Sequence, residues 1–511
     1  MTGSTNLAAI DAGSNAIRLV IAGVESPSKL RVLKVERQPV RLGRHVFTQH
    51  RFDKQTVDRA VQAFRHFRSL MDLYDVKKYR AVATSATREA RNQENFIERV
   101  YEASGIRLDV IDGAEEARLV RRAVRAAVAG KLSPRLVVDL GGGSLEVNLM
   151  KSVMVEESAA LPIGTVRMME TFEIEGAMSV EQVGIMRGYV LSLLGRYLPS
   201  KPHTAGGLAV ACGGNAEALA LIAPGKPQFG FNTLDLRVLR RKLHQIAALN
   251  IKDRMNTFAV RKDRAEVMGI AAIVLATLGR WAGVESLLVP GVGVKEGILI
   301  DLLRSSSGGA RHHENALEAE VLLASARRYG LRLNWDSKHA EKVRQLAVSL
   351  FDQLRPVHKM GPQMRVVLEM AALLHDIGRV IRHGLHYQHG EYMVRNGNIA
   401  GLEGSRRAMV ACLVYYHSET EPDEDPKIFL SFPRKQQAQI LALVSLLRIA
   451  DALDWDHRQP VVDVQARLRS GVVTINLRLK HNPDLILWAA RRRAKLFETN
   501  FDCHVEFKEI G

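Results

Sequence analysis

Residues 135–150 read Arg-Leu-Val-Val-Asp-Leu-Gly-Gly-Gly-Ser-Leu-Glu-Val-Asn-Leu-Met, and residues 6–24 read Asn-Leu-Ala-Ala-Ile-Asp-Ala-Gly-Ser-Asn-Ala-Ile-Arg-Leu-Val-Ile-Ala-Gly-Val. Each is an apolar run, a tight turn of small polar residues and a second apolar run, which is the pattern of a β-hairpin whose turn carries polar groups. The aspartates that enter the two turns, Asp11 and Asp139, are 128 positions apart. Repetition on that scale predicts two related α/β domains facing each other across a cleft, each offering one Gly-rich turn to a shared ligand.

Outward from the hairpins, helical periodicity predicts helices near Asp53–Tyr74, Asn92–Ser104, Glu115–Ala129, Val180–Leu198, Leu234–Asn250 and Arg264–Ala282. Short strands fall near Arg80–Ala83, Leu108–Ile111, Leu208–Cys212 and Ser286–Val289. Strands alternating with helices define the α/β class. Ser305-Ser306-Ser307-Gly308-Gly309 is the best linker in the chain. Beyond it the pattern is helical and rich in His to about Asp456, and Val461–Val464 and Val472–Leu479 read as strands of a small α+β unit. The expected division is 1–130, 131–304, 305–459 and 460–511.

With 511 residues the chain is too long for one core. Apolar residues make up 47% and charged residues 25%, and no uncharged apolar stretch of membrane-spanning length is present, so no membrane crossing is expected. Met1 to Asn6 lack the zones of a secretory signal, which points to the cytoplasm. Cys212, Cys412 and Cys503 are too few and too scattered for a disulfide framework or a zinc ribbon. The 72 Lys+Arg against 55 Asp+Glu leave +17, an excess that draws polyanions. Nucleic acid is not the favoured polyanion, because zinc-finger spacing is missing and aromatics for base stacking are only 6%.

Two Gly-rich turns give backbone N–H groups close access to phosphate oxygens, and the hydroxyls of Ser14 and Ser144 add donors. Asp11, Asp139 and Glu146, at the strand ends, would repel bare phosphate but could hold Mg²⁺ or orient water.

Six segments in order resemble the exopolyphosphatase and guanosine pentaphosphate phosphatase family, within the actin, sugar-kinase and heat-shock ATPase superfamily. They are Asp11-Ala-Gly-Ser-Asn, Thr84-Ser-Ala-Thr-Arg88, Gly113-Ala-Glu-Glu-Ala-Arg118, Asp139-Leu-Gly-Gly-Gly-Ser144-Leu-Glu146, Leu161-Pro-Ile-Gly-Thr-Val-Arg167 and Gly291-Val-Gly-Val-Lys-Glu-Gly297. The resemblance implies two actin-like (ribonuclease H-like) domains, then an all-α HD-like domain and the small α+β unit. It implies Glu116 as general base, Arg88 on the terminal phosphate, and Ser14, Asn15, Gly141, Gly142, Gly143, Ser144, Gly213 and Gly214 as the phosphate cradle. It further implies a homodimer, and Mg²⁺ or Mn²⁺ is the ion expected at Asp11, Asp139 and Glu146. The reaction implied is release of terminal orthophosphate from inorganic polyphosphate. The alternatives are 5′-hydrolysis of guanosine pentaphosphate (pppGpp) and an ATP-binding module without this activity. The chain departs from the family pattern at Cys212, Asn215, Pro290 and Lys295.

In the second half, His339, His375-Asp376, His386, His389, His417 and Asp451 lie among apolar helices. His339, His375, Asp376 and Asp451 resemble the ligand set of HD-domain phosphohydrolases, which implies a second divalent metal; His nitrogen with carboxylate oxygen suits such an ion. The rival reading is a set of paired polar groups in a helical core. Arg434-Lys435, Arg478, Lys480, Arg491-Arg492-Arg493 and Lys495 read singly as solvated faces, and with a linear polyanion as a binding track.

Overall fold

The computed structural model describes residues 5–26, 28–128, 134–151, 154–198, 208–306, 311–397, 399, 401–402, 404–418, 426–480 and 484–510. The chain divides into two compact units, Met1–Glu314 and Asn315–Gly511.

In the first unit the two hairpins are central pairs of two sheets. Strands β1 (Asn6–Ala12), β2 (Ile17–Ser26), β3 (Lys29–Gln38), β4 (Val76–Ala83) and β5 (Leu108–Val110) form a sheet of order β3-β2-β1-β4-β5. Strands β6 (Pro134–Leu140), β7 (Leu145–Lys151), β8 (Met154–Leu161), β9 (Leu208–Cys212), β10 (Asn232–Asp235) and β11 (Ser286–Val289) form a sheet of order β10-β11-β9-β6-β7-β8. Read from β8, the second sheet repeats the first, with β10 added at the edge. In both, three antiparallel strands are followed by parallel ones. The duplication therefore extends from two turns to whole sheets.

Each predicted hairpin is in fact a three-stranded meander. The third strand β3 is an edge strand whose Val32 and Val35 face solvent, so it lacks the continuous burial that marks β1 and β2. The predicted helix over Leu234–Asn250 begins two residues late, because Asp235 ends β10 and caps the helix Leu236–Ala248 by accepting from the Arg237 and Val238 N–H groups.

An apolar seam joins the two sheets. Leu7, Ala9 and Val82 of one sheet and Val137, Val210 and Leu288 of the other pack with Leu119, Val120 and Val124 of the helix Gly113–Val128 and Ile298, Leu299 and Leu303 of the helix Val294–Ser306. This fixes the helix carrying Glu116 against both sheets. The helix Lys262–Ala282 is long and apolar enough to cross a membrane, but 83% of its most apolar window is buried in the second domain's core. Of the predicted linker, Ser305 and Ser306 end the helix Val294–Ser306, and Ser307, Gly308 and Gly309 lie outside the described residues.

The second unit packs the helices Ser337–Gln353, Pro362–Leu374, His386–Asn396, Gly404–Tyr416 and Arg434–Ala452. A sheet of β12 (Val461–Arg469), β13 (Val472–Leu479) and β14 (His504–Glu509) and the helix Asp484–Phe501 complete it. One apolar cluster runs through both parts, from Val343 and Leu373 to Ile475 and Phe497.

Candidate active site

The two Gly-rich turns meet. A Cβ on Gly142 would lie 3.0 Å from the Cβ of Ser14, and one on Gly143 would lie 2.1 Å from Ser85 Oγ, so these positions need glycine for the close approach itself. Ser14 Oγ and Ser85 Oγ are 3.0 Å apart and share a hydrogen bond. The turns floor a cleft of about 250 Å³. Among the predicted site residues, Asp11, Ser14, Asn15, Glu116, Asp139, Gly141, Gly142, Gly143, Ser144, Gly213 and Gly214 line it. Glu146 lies just behind, 1% exposed and accepting a hydrogen bond from Ser144 Oγ. Arg88 is not among the lining residues: it donates to the Ile111 carbonyl and sits within electrostatic reach of Glu116 and Glu146.

One pole of the cleft is anionic. Burial, then Glu146, Asp11 and Asp139, push the Glu116 carboxyl well above its ordinary range, with Arg88 opposing. Burial, followed by Asp139, pushes Glu146 up to about 8, and burial with Asp11 pushes Asp139 up to about 6. Glu116 Oε2 and Glu146 Oε2 are buried without a hydrogen-bond partner. Buried carboxylates with open lone pairs fit a divalent cation, which is the charge this cluster needs to be ionised together. Asp11 is partly neutralised already, its Oδ2 being 3.1 Å from Arg18 Nη1.

The other pole is cationic and was not read from the sequence. Arg18, Arg37, Arg261, Arg264 and Lys295 line it. Burial, then Arg18 and Arg37, lower Arg264 to about 10, with Asp263 and Glu217 opposing. The duplication explains the division. Asp11 pairs with Arg18 in the first hairpin and Asp139 with Glu146 in the second, so equivalent hairpin positions carry opposite charges. The departure Asn215 bonds both ways, donating to the Leu140 carbonyl at 2.8 Å and accepting from Arg264 at 3.3 Å.

Glu115 faces elsewhere. Arg80 and Arg118 hold it at 2.9 and 2.6 Å and, outweighing burial, keep its carboxyl below the ordinary range. It is a structural ion pair beside the cleft residue Glu116.

In the helical unit the structure brings His339, His375, Asp376 and Asp451 together. His339 Nε2 and His375 Nε2 are 3.1 Å apart, each is 3.4 Å from Asp451 Oδ1, and each is 3.7 Å from Asp376 Oδ2. Asp454, fully buried and unread in the sequence, lies 2.8 Å from His339 Nδ1.

Carboxylates and basic side chains lining one cleft, floored by two glycine turns from duplicated hairpins, define a phosphate-handling enzyme on an actin-like scaffold. The chain belongs to the Ppx/GppA phosphatase family: the family's model matches residues 20–306, and the model of the family's domain III matches residues 322–490. It is therefore a hydrolase of phosphoanhydride bonds, in a family that depends on divalent metal. A guanosine-5′-triphosphate,3′-diphosphate pyrophosphatase of Aeromonas hydrophila is 26% identical over 472 residues, covering 90% of each chain. The crystal structure of an Aquifex aeolicus Ppx/GppA family member is 26% identical with TM-score 0.51, over 60% of this chain and 100% of that one. An exopolyphosphatase of Cytophaga hutchinsonii shares the fold, with TM-score 0.54 at 24% identity over 59% of this chain and 98% of that one.

Proposed function

We propose that the chain is an exopolyphosphatase that releases terminal orthophosphate from inorganic polyphosphate, with Glu116 as general base. The observation that carries this reading is the lining of the cleft: five basic side chains and, among the described residues, no aromatic one. A row of guanidiniums matches a repeating phosphate chain, whereas a guanine base would call for a stacking platform. The second reading, 5′-hydrolysis of pppGpp, is supported by the names of the curated relatives. Phosphate release from long polyphosphate, pppGpp and ATP, measured side by side, tests the proposal; a clear preference for pppGpp would replace it.

Glu116 takes a proton from water, the water oxygen attacks the terminal phosphorus in line, and the anhydride bond to the rest of the chain breaks. Turn amides at Gly141 to Gly143, Gly213 and Gly214, the hydroxyls of Ser14 and Ser144, and Asn15 cradle the phosphoryl oxygens. Arg88 supplies positive charge at the Glu116 end. Asp11, Asp139 and Glu146 would hold Mg²⁺ or Mn²⁺, which when bound offsets the charge on the phosphoryl oxygens. The shorter chain is a good leaving group, so positioning and electrostatics suffice.

The proposal extends to the rest of the chain: the four-part division at 130, 304 and 459, an HD-like character for the helical domain, a homodimer and a cytoplasmic location. In the HD-like domain His339, His375, Asp376 and Asp451 would hold one divalent ion. Ligand atoms about 2.1 Å from a metal and at right angles to each other are about 3.0 Å apart, close to the 3.1 Å between the two imidazole nitrogens. The rival is an imidazolium at His339 shared between Asp451 and Asp454.

A further inference from the structure

The segment Leu161-Pro-Ile-Gly-Thr-Val-Arg167 is not among the residues that line the cleft, yet it holds the glycine turn that is. At the start of the helix Thr165–Thr171, the Thr165 N–H donates to the Gly141 carbonyl at 3.0 Å, and the Val166 and Arg167 N–H groups donate to the Gly142 carbonyl at 2.8 and 3.0 Å. These donors would otherwise be the unpaired ones of a helix start. The Arg167 side chain takes the third carbonyl, its Nε donating to Gly143 at 2.7 Å. Gly164 permits the approach, since a Cβ there would lie 2.3 Å from the Gly143 and Ser144 nitrogens. A trans peptide is planar, with its C=O and N–H pointing opposite ways. Fixing the carbonyls of Gly141, Gly142 and Gly143 therefore aims the N–H groups of Gly142, Gly143 and Ser144 away from the segment, on the side of the turn that lines the cleft. Two of these carbonyls are held by backbone and the third by a side chain, so the direction of the Ser144 N–H is the one a substitution can release.

The far side of the same guanidinium reaches the first sheet's side of the cleft. Arg167 Nη1 donates to Glu89 Oε2 at 2.9 Å and Nη2 pairs with Glu89 Oε1, a two-pronged ion pair. Glu89 ends the short helix Ser85–Glu89, which carries Arg88 and the Ser85 that bonds Ser14. The guanidinium carbon also lies 4.1 Å from the centroid of the Phe47 ring, which itself rests on the turn: a Cβ on Gly143 would lie 2.6 Å from Phe47 Cζ. Glu170, one turn along the Arg167 helix, accepts from the His45 N–H at the start of the helix Val46–Gln49 that carries Phe47. Three hydrogen bonds and a ring face leave the guanidinium one orientation. A single rigid plane thus ties the Ser144 N–H to the helix that carries Arg88.

Resting on the phosphate cradle of the function proposed above, we propose that Arg167 is a positioning residue: by holding the Gly143 carbonyl and the Glu89 carboxylate in one plane, it fixes the Ser144 N–H and Arg88 relative to each other around the terminal phosphoryl group. It touches neither the substrate nor the attacking water. Donors set in place before the reaction stabilise the transition state without reorganising, so their misalignment is felt in kcat. The rest of a bound chain lies along the basic wall of Arg18, Arg37 and Arg264, which the contacts of Arg167 do not include, so KM should move little. An arginine that served folding alone would lower the unfolding temperature and leave the folded enzyme's kcat as it was.

The test makes Arg167→Lys and Arg167→Met in the full-length protein and measures phosphate release on long polyphosphate or pppGpp, whichever wild type turns over faster, together with thermal unfolding. Lys keeps the positive charge but cannot reach the Gly143 carbonyl and both Glu89 oxygens with one ammonium, and Met fills much of the same space with no donor. Kinetics are read at a temperature where circular dichroism shows the variant folded, and Arg167→Lys carries the test if the Met variant does not fold. The expected result is a fall in kcat of at least ~10-fold in both variants with KM within about threefold of wild type. A smaller loss of kcat in Arg167→Lys would mean that charge alone suffices and would overturn the positioning role, as would a loss confined to KM or to the unfolding temperature. A wild-type preference for pppGpp would replace the substrate reading instead, and the same kcat ratio, taken on pppGpp, would still decide the role of Arg167.

Discussion

Glu146→Gln should make the metal-free protein more stable at pH 8 while making the enzyme slower. The Glu146 carboxyl, ordinarily at 4.5, is pushed up to about 8 by burial and Asp139. Below about pH 4.5 folded and unfolded chains both hold this proton, and it contributes nothing to stability. From there to about pH 8 the unfolded chain has released it while the folded chain keeps it, so stability falls with rising pH and levels off above 8. Each unit of the gap is worth about 1.4 kcal/mol, and a gap of about 3.5 units gives a loss of the order of 5 kcal/mol at pH 8. Gln has no proton to lose, its oxygen can still accept from Ser144, and its amide can donate to neighbouring carboxylates. Urea unfolding in EDTA at pH 5, 6, 7 and 8 should give a wild-type curve that falls away from the variant's as pH rises. Added Mg²⁺ should stabilise wild type more at pH 8 than at pH 5 and the variant little at either, with phosphate release in the variant down at least ~10-fold. A wild-type-minus-variant difference that is flat with pH, or that favours wild type at pH 8 in EDTA, would refute a strained carboxylate cluster awaiting a cation.

Glu115→Gln should cost about 1–3 kcal/mol of stability by breaking the pairs with Arg80 and Arg118, while phosphate release stays within about threefold of wild type; thermal unfolding with steady-state kinetics checks both. Arg264→Ala removes a charge-assisted phosphate contact and should raise KM for long polyphosphate about 10- to 100-fold with kcat little changed. Neutralising Arg491 and Arg492, which are exposed on the helix Asp484–Phe501, together with the half-buried Arg493 should weaken binding of long chains and flatten its salt dependence while sparing short oligophosphates. Equal losses on short and long chains would speak against a binding track.

The hairpins and the duplication were legible because β1, β2, β6 and β7 are near-continuous apolar runs, buried on both faces and joined by turns of small polar residues. Strand β3 escaped because its outer face is open, and β10 because four residues before a cap carry too little pattern. The anionic pole was legible as carboxylates at turn ends. Arg18, Arg37 and Arg264 were not, since each sits in an ordinary strand or helix and only folding crowds them at one wall. Arg18 had one signal available: it occupies, 128 positions earlier, the place of Glu146. In the helical unit His386 and His417 were visible as residues, but their pairing across Asp376 depends on helix packing that spacing does not encode.

Glu116→Gln, assayed for phosphate release and for polyphosphate binding in the same preparation, tests the central claim most directly. The amide keeps the shape of the carboxylate and cannot take the proton of water, so release should fall at least ~10²-fold while binding stays within a few-fold of wild type. A variant that keeps most of its rate would contradict the account and remove Glu116 as the base.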